Sequence, residues 1–177
     1  MKKIVFITLS LLLAVSFWNC EKDDICASGT PVTPRVIIEF YDAANPTVLK
    51  NVTNLRVEEF GTNKGVVFNE ALDDENEARY LTSGNKIAIP LKTFVNISDF
   101  DFKFNYGDTS VNNDVIKFNY ERVDEYISRA CGFKTLFYLN DTNPIVLTAD
   151  GNNWIQNIVV TQPNIENENE VHVKIYF

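Results

Sequence analysis

Residues 99–106 read DFDFKFNY, with Phe100, Phe102, Phe104 and Tyr106 alternating against Asp101, Lys103 and Asn105. Successive side chains of an extended chain point to opposite faces, so this period of two marks a strand with one face against a core and the other in water. A helix would scatter the same four rings around its circumference. The C-terminal stretch 170–177, EVHVKIYF, repeats the pattern with Val171, Val173, Ile175 and Phe177 on one face and His172 on the other.

Working outward, similar short runs occupy 35–41 (RVIIEFY), 55–60 (LRVEEF) and 86–91 (KIAIPL) before this stretch. After it come 115–121 (VIKFNYE), 125–130 (EYISRA), 133–139 (FKTLFYL) and 154–161 (WIQNIVVT). Turn residues separate them: Ala44-Asn45-Pro46, Asn63-Lys64-Gly65, Asn105-Tyr106-Gly107-Asp108 and Asp150-Gly151-Asn152-Asn153. Asn and Asp tolerate left-handed backbone and Gly enters it without steric cost, so hairpins are expected there. Residues 70–78 (EALDDENEA) read as an acidic loop, and no long amphipathic helix follows residue 20. The expected fold is all-β: a single antiparallel β-sandwich, Greek-key-like, over residues 35–177, with a closed barrel as the alternative. The chain ends inside a strand, so its last residues should pair into a sheet.

The 177 residues suit one domain, and 45% hydrophobic content with 12% aromatics is enough for a core. The net charge of −8 becomes −10 if Lys2 and Lys3 are removed with a leader. Such a surface repels phosphate backbones and anionic headgroups, which argues against nucleic acid and against electrostatic adhesion to a membrane. Attachment to a membrane would then have to be covalent.

Lys2 and Lys3 precede an uncharged run, residues 4–18 (IVFITLSLLLAVSFW). At about 15 residues it is shorter than the roughly 20 of a spanning helix, which favours a cleaved signal helix over residues 1–19. The junction Asn19-Cys20 resembles a lipobox, in which lipid is attached to the cysteine and the leader is cut before it. Phe17, Trp18 and Asn19 stand where the usual triplet has Leu, then Ala or Ser, then Gly or Ala. An ordinary cleavage site and an uncleaved anchor are the alternatives. Lipidation of Cys20 is favoured because the cysteine ends the apolar run and a charged segment follows. That segment, Cys20-Glu21-Lys22-Asp23-Asp24, resembles the export signal of surface lipoproteins in the Bacteroidetes, carried by Lys22, Asp23 and Asp24. The resemblance implies a lipidated tether over 20–34 and an outer-membrane protein facing the cell exterior. The periplasmic face is the alternative, since any solvated tether can be charged.

With Cys20 given to lipid, Cys26 and Cys131 remain, and two cysteines in an exported chain most simply form one disulfide. Two free buried thiols are the alternative. Cys26 lies six residues after Cys20, a span of at most about 20 Å, so a bridge there would hold the body close to the bilayer.

Little points to catalysis. His172 is the single histidine, is expected on a solvent-facing side of a strand, and leaves Cys131 without an evident base. No HExxH, Walker A or GxSxG pattern occurs, so no catalytic residue, metal ligand or cofactor site is assigned. The 24 acidic residues leave a glycan-directed or other hydrolase with paired carboxylates as the alternative function. The acidic stretches at 73–77 and 166–170 are the richest in oxygen ligands for calcium, yet neither has the EF-hand order, and solvated loops are expected. Trp154, Tyr80, Tyr106, Tyr120, Tyr126, Tyr138 and Tyr176 are candidates for a stacking platform, although most aromatics of a strand protein are core.

Taken together, Cys20 to Cys26 (CEKDDIC), residues 35–42 (RVIIEFYD) with Asn45-Pro46-Thr47, residues 128–134 (SRACGFK), 152–157 (NNWIQN) and 166–174 (ENENEVHVK) resemble an uncharacterised family of flavobacterial lipoproteins, catalogued as a domain of unknown function. The resemblance implies the anchor and the species group and brings no activity with it. The expected function is a membrane-anchored, non-catalytic binding or envelope-structural module. Its partner would be an envelope protein or a glycan.

Overall fold

The structure, a computed structural model, describes residues 25–30 and 32–177. Cys20, Lys22, Asp23, Asp24 and the signal segment lie outside the described residues. The chain divides into two compact units. The larger holds Pro31–Glu125 and Lys134–Phe177; the smaller joins the segment ending at Thr30 to Tyr126–Phe133.

The larger unit is built from two sheets. One has four strands in the order β10-β12-β1-β5, where β1 is Val36–Tyr41, β5 Lys86–Ile89, β10 Asn157–Val160 and β12 Val173–Tyr176. The second contains β2 (Leu55–Glu59), β3 (Lys64–Gly65), β4 (Leu81–Thr82), β6 (Ile97–Phe104), β7 (Asn112–Ser128), β8 (Gly132–Leu139), β9 (Ile145–Leu147) and β11 (Asn164–Ile165). Its order is β11-β8-β7-β6-β2-β3, with β4 also on β2 and β9 also on β7. No α-helix occurs among the described residues; a single 3-10 turn spans Glu77–Tyr80 in the acidic loop.

The fold is thus the expected all-β sandwich, with one refinement. β1 and β12 run parallel, Ile38 beside Val173 and Phe40 beside Ile175, so the smaller sheet is mixed. The alternation of residues 99–104 is realised in β6, where Phe100 and Phe102 are buried while Asp99, Asp101 and Lys103 are not. Tyr106 falls outside the strand, because Asn105 and Gly107 take positive φ (54° and 84°) and turn the chain. β7 merges the two runs read at 115–121 and 125–130 into one strand of 17 residues.

Both sheets feed one core. Val36, Ile38 and Phe40 of β1 and Ile175 of β12 meet Phe102, Ile116 and Phe118 of the larger sheet, all wholly enclosed. Burying side chains of this size contributes about 1.5–3 kcal/mol each, which is the main favourable term. Trp154 stacks on Phe104 at 5.0 Å and meets Phe177 edge-on at 5.3 Å, while its indole N–H donates to the Phe102 carbonyl at 3.0 Å.

In the smaller unit the β7–β8 hairpin turns through Arg129, Ala130 and Cys131. Gly132 follows at φ 71°, the left-handed position that closes a three-residue hairpin loop. The Ser128 hydroxyl accepts the Cys131 N–H at 3.0 Å, and Cys131 is bonded to Cys26. Tyr126 and Phe133 face each other edge-on at 5.2 Å.

Candidate functional site

The expectation for His172 is overturned. Its strand begins only at Val173, so residues 170–172 do not continue the alternation, and the imidazole is 1% exposed. Nδ1 accepts the Ile37 N–H at 2.9 Å, and the His172 N–H donates to the Ile37 carbonyl at 3.0 Å, which ties the two segments together. Burial pushes its pKa down, against the weaker pull of Glu170 and Glu168. A depressed histidine contributes stability above its unfolded pKa of about 6.5 and loses it as pH falls. His172→Asn keeps an acceptor but cannot titrate, so it should flatten the pH dependence of the urea midpoint between pH 7 and 5. An unchanged slope would contradict this role.

The acidic stretches are engaged structurally. Asp74 pairs with Arg79 at 3.0 Å, and Asn76 caps the 3-10 turn. Glu168 grips the Arg35 guanidinium through both oxygens at 2.8 and 2.7 Å, and the Glu166 carboxylate accepts the Tyr138 hydroxyl at 3.0 Å. No group of three or more His, Cys, Asp or Glu is placed to hold a metal ion among the described residues. Trp154 is a core ring, not an open platform. Beside it, Asp114 is fully enclosed, and its Oδ2 accepts the Ile155 N–H at 2.8 Å. Burial raises its pKa, partly offset by that amide.

What sequence reasoning does not find is a cleft of about 420 Å³ where the two sheets end. β5 is the last strand of one sheet and β3 of the other, and Ala88, Lys64 and Gly65 line the opening. Its floor is apolar, formed by Val66, Leu91 and Phe100. Gly65 is required by close packing, since a Cβ there would lie 2.9 Å from the Tyr80 ring.

Charged side chains also line the cleft, two of the three cations being paired with carboxylates. Arg35, Lys64 and Lys92 stand there with Glu59. Lys92 bonds Glu59 at 2.7 Å and so lowers the carboxyl's pKa, while Lys64 makes no ion pair among the described residues. Glu168 raises the pKa of Arg35 through their shared hydrogen bonds.

From the same wall a loop carries Phe94, 91% exposed, and Val95, 48% exposed. Its base is held by a closed ring of hydrogen bonds. The Lys92 N–H donates to Ser98 Oγ (2.9 Å), the Ser98 hydroxyl to Tyr120 (2.7 Å), and the Tyr120 hydroxyl to the Lys92 carbonyl (2.9 Å). Arg122 adds bonds to the Thr93 carbonyl and, at 2.7 Å, to Asn96 Oδ1. Two apolar side chains are therefore presented to water from a fixed base. This arrangement lowers the ordering cost of binding.

No curated protein and no solved structure matches this chain. Residues 61–177, which include both walls and the floor of the cleft except for Arg35 and Glu59, match a family of unknown function, DUF6452, and the chain belongs to that family.

Proposed function

We propose that this protein is a lipid-anchored, non-catalytic binding or envelope-structural module, held at the outer membrane through Cys20 and facing the cell exterior. The observation that carries the binding role is the apolar cleft at the sheet edges with its fixed, exposed neighbour Phe94. An apolar floor beside Lys64, the cleft cation with no ion pair among the described residues, suits an apolar segment of another envelope protein that carries a carboxylate. It suits a glycan less well, because a sugar needs polar partners for its hydroxyls. Hydrolysis would require two accessible carboxylates. Asp114, the acid beside Trp154, is enclosed and committed to a backbone amide, which supports binding over the hydrolytic alternative.

The anchor and the cleft are tested separately. Cys20→Ala should abolish incorporation of labelled palmitate, and retained label would refute the anchor. For the cleft, surface crosslinking on intact cells is compared between wild type and Ala88→Arg, since an edge strand accepts a charged residue without unfolding. The crosslinked partner should fall about tenfold in the variant, the effect of losing one central contact. An undiminished partner band with palmitate incorporation intact would exclude the cleft as the binding surface.

A further inference from the structure

In the smaller unit, Ile25, Tyr126 and Phe133 are 83%, 55% and 67% exposed. They flank a single covalent junction: Ile25 precedes Cys26, Cys26 is bonded to Cys131, and Phe133 lies two residues beyond Cys131. Across the hairpin Tyr126 meets Phe133 at 5.2 Å, so the two rings hold each other while leaving much of their surface in water. Within the described residues of this unit Arg129 is the one charged side chain, and Asp and Glu are missing altogether. The Tyr126–Phe133 tip thus has no carboxylate of its own for an anionic bilayer to repel.

We propose that the β7–β8 hairpin tip is a membrane-contact surface, seated in the interface of the bilayer that holds the lipid of Cys20. The proposal rests on the reading of Cys20 as the lipidated residue. Its occupant follows from chain length: Cys26 is six residues from Cys20, so the disulfide cannot stand more than about 20 Å from the anchor. The chemistry matches. Tyrosine rings favour the headgroup level, with the apolar body towards the acyl chains and the hydroxyl in water, and Phe133 and Ile25 add apolar area. Arg129 can extend its guanidinium to lipid phosphates. Three exposed apolar residues are a weak membrane signal on their own. A short tether changes this, because it holds the tip at an effective concentration on the order of millimolar. An affinity too low to recruit a free domain is then sufficient to orient an anchored one.

The test uses the full-length protein, processed in its own cells and reconstituted in vesicles of phosphatidylethanolamine and phosphatidylglycerol with lipids brominated near the headgroup. Tyr126→Trp and Phe133→Trp each place an indole at the tip, and Trp154, half-buried against the core, gives a background read from the wild-type protein. Brominated lipid should quench the added emission by about half or more, the depth of an interfacial side chain being within reach of a shallow bromine. Adding Arg129→Glu should restore most of it. If acyl label is present on Cys20 and both indoles stay unquenched, the tip proposal is overturned and the anchor stands. Blue-shifted but unquenched emission overturns it equally, because a protein, a second copy or another, then covers the tip. Absence of acyl label on the wild-type chain removes the anchor and the tip proposal with it.

Discussion

Replacing Cys26 and Cys131 together by serine is expected to lower the unfolding free energy by about 4 kcal/mol. The bond joins residues 105 apart, so in the unfolded chain it closes a loop that contains most of the strands. The entropy removed from that ensemble grows only logarithmically with loop length, but a loop this long is near the upper end of the range. Part of the effect is returned, because residues between Cys26 and the start of β1 also gain freedom in the native variant. The measurement is urea unfolding of the oxidised wild type against the double variant. The midpoint should fall and the m-value should rise as the denatured chain expands. An unchanged midpoint would mean that the bond leaves the denatured ensemble unconstrained.

Glu58→Ala should cost a comparable amount, about 3–5 kcal/mol. Glu58 is 3% exposed on β2, yet it is ionised between two cations: Lys103 of β6 and Arg56 of its own strand each donate to its carboxylate. Burial alone would raise its pKa, and the bonds from Lys103 and Arg56 more than reverse this, leaving the net shift downward. A lowered carboxyl contributes stability above its unfolded pKa of about 4.3 and loses it as pH falls through the folded value. Truncation leaves two half-enclosed cations facing each other. Arg56 retains the faces of Tyr106 and Tyr80, at 4.8 and 5.4 Å, and an exposed carboxylate, Glu77, at 4.0 Å. Replacing the triad as a whole by apolar residues of similar size should be less damaging than Glu58→Ala, because no unpaired charge remains. Urea midpoints of the single and triple variants at pH 7 decide it; a triple variant weaker than the single would count against this account.

The sequence made the sandwich legible wherever one strand carried its own signal. Residues 99–104 did so through three aromatic side chains alternating with three charged ones, and the Asn105–Gly107 turn through residues that tolerate positive φ. The Cys26–Cys131 pairing followed from counting cysteines. β3, β4 and β11 were not legible, being two-residue strands set by their neighbours rather than by any pattern of their own. The sequence suggests two strands over β7 because Arg122, Val123 and Asp124 break the alternation, although the strand runs on through them. His172 was misplaced by extending a period of two beyond the strand that justified it. The cleft was invisible for a further reason. Its walls, near residues 35, 65 and 90, are brought together only by the order in which strands join their sheets, and no local window contains that order.

The parallel pairing of β1 with β12 sets a schedule for folding. β1 is the first strand and β12 the last, so the centre of the smaller sheet joins residues about as far apart as the domain permits, Ile38 with Val173. Contacts this distant in sequence are slow to form, because the chain between them must already be ordered. A polypeptide emerging N-terminus first can pair one edge of Val36–Tyr41 with β5, but must keep the other edge open until β12 appears. During that interval it is a client for any factor that binds extended chains. Truncation of β12 would leave β1 with β5 as its one sheet partner and β10 with none in that sheet.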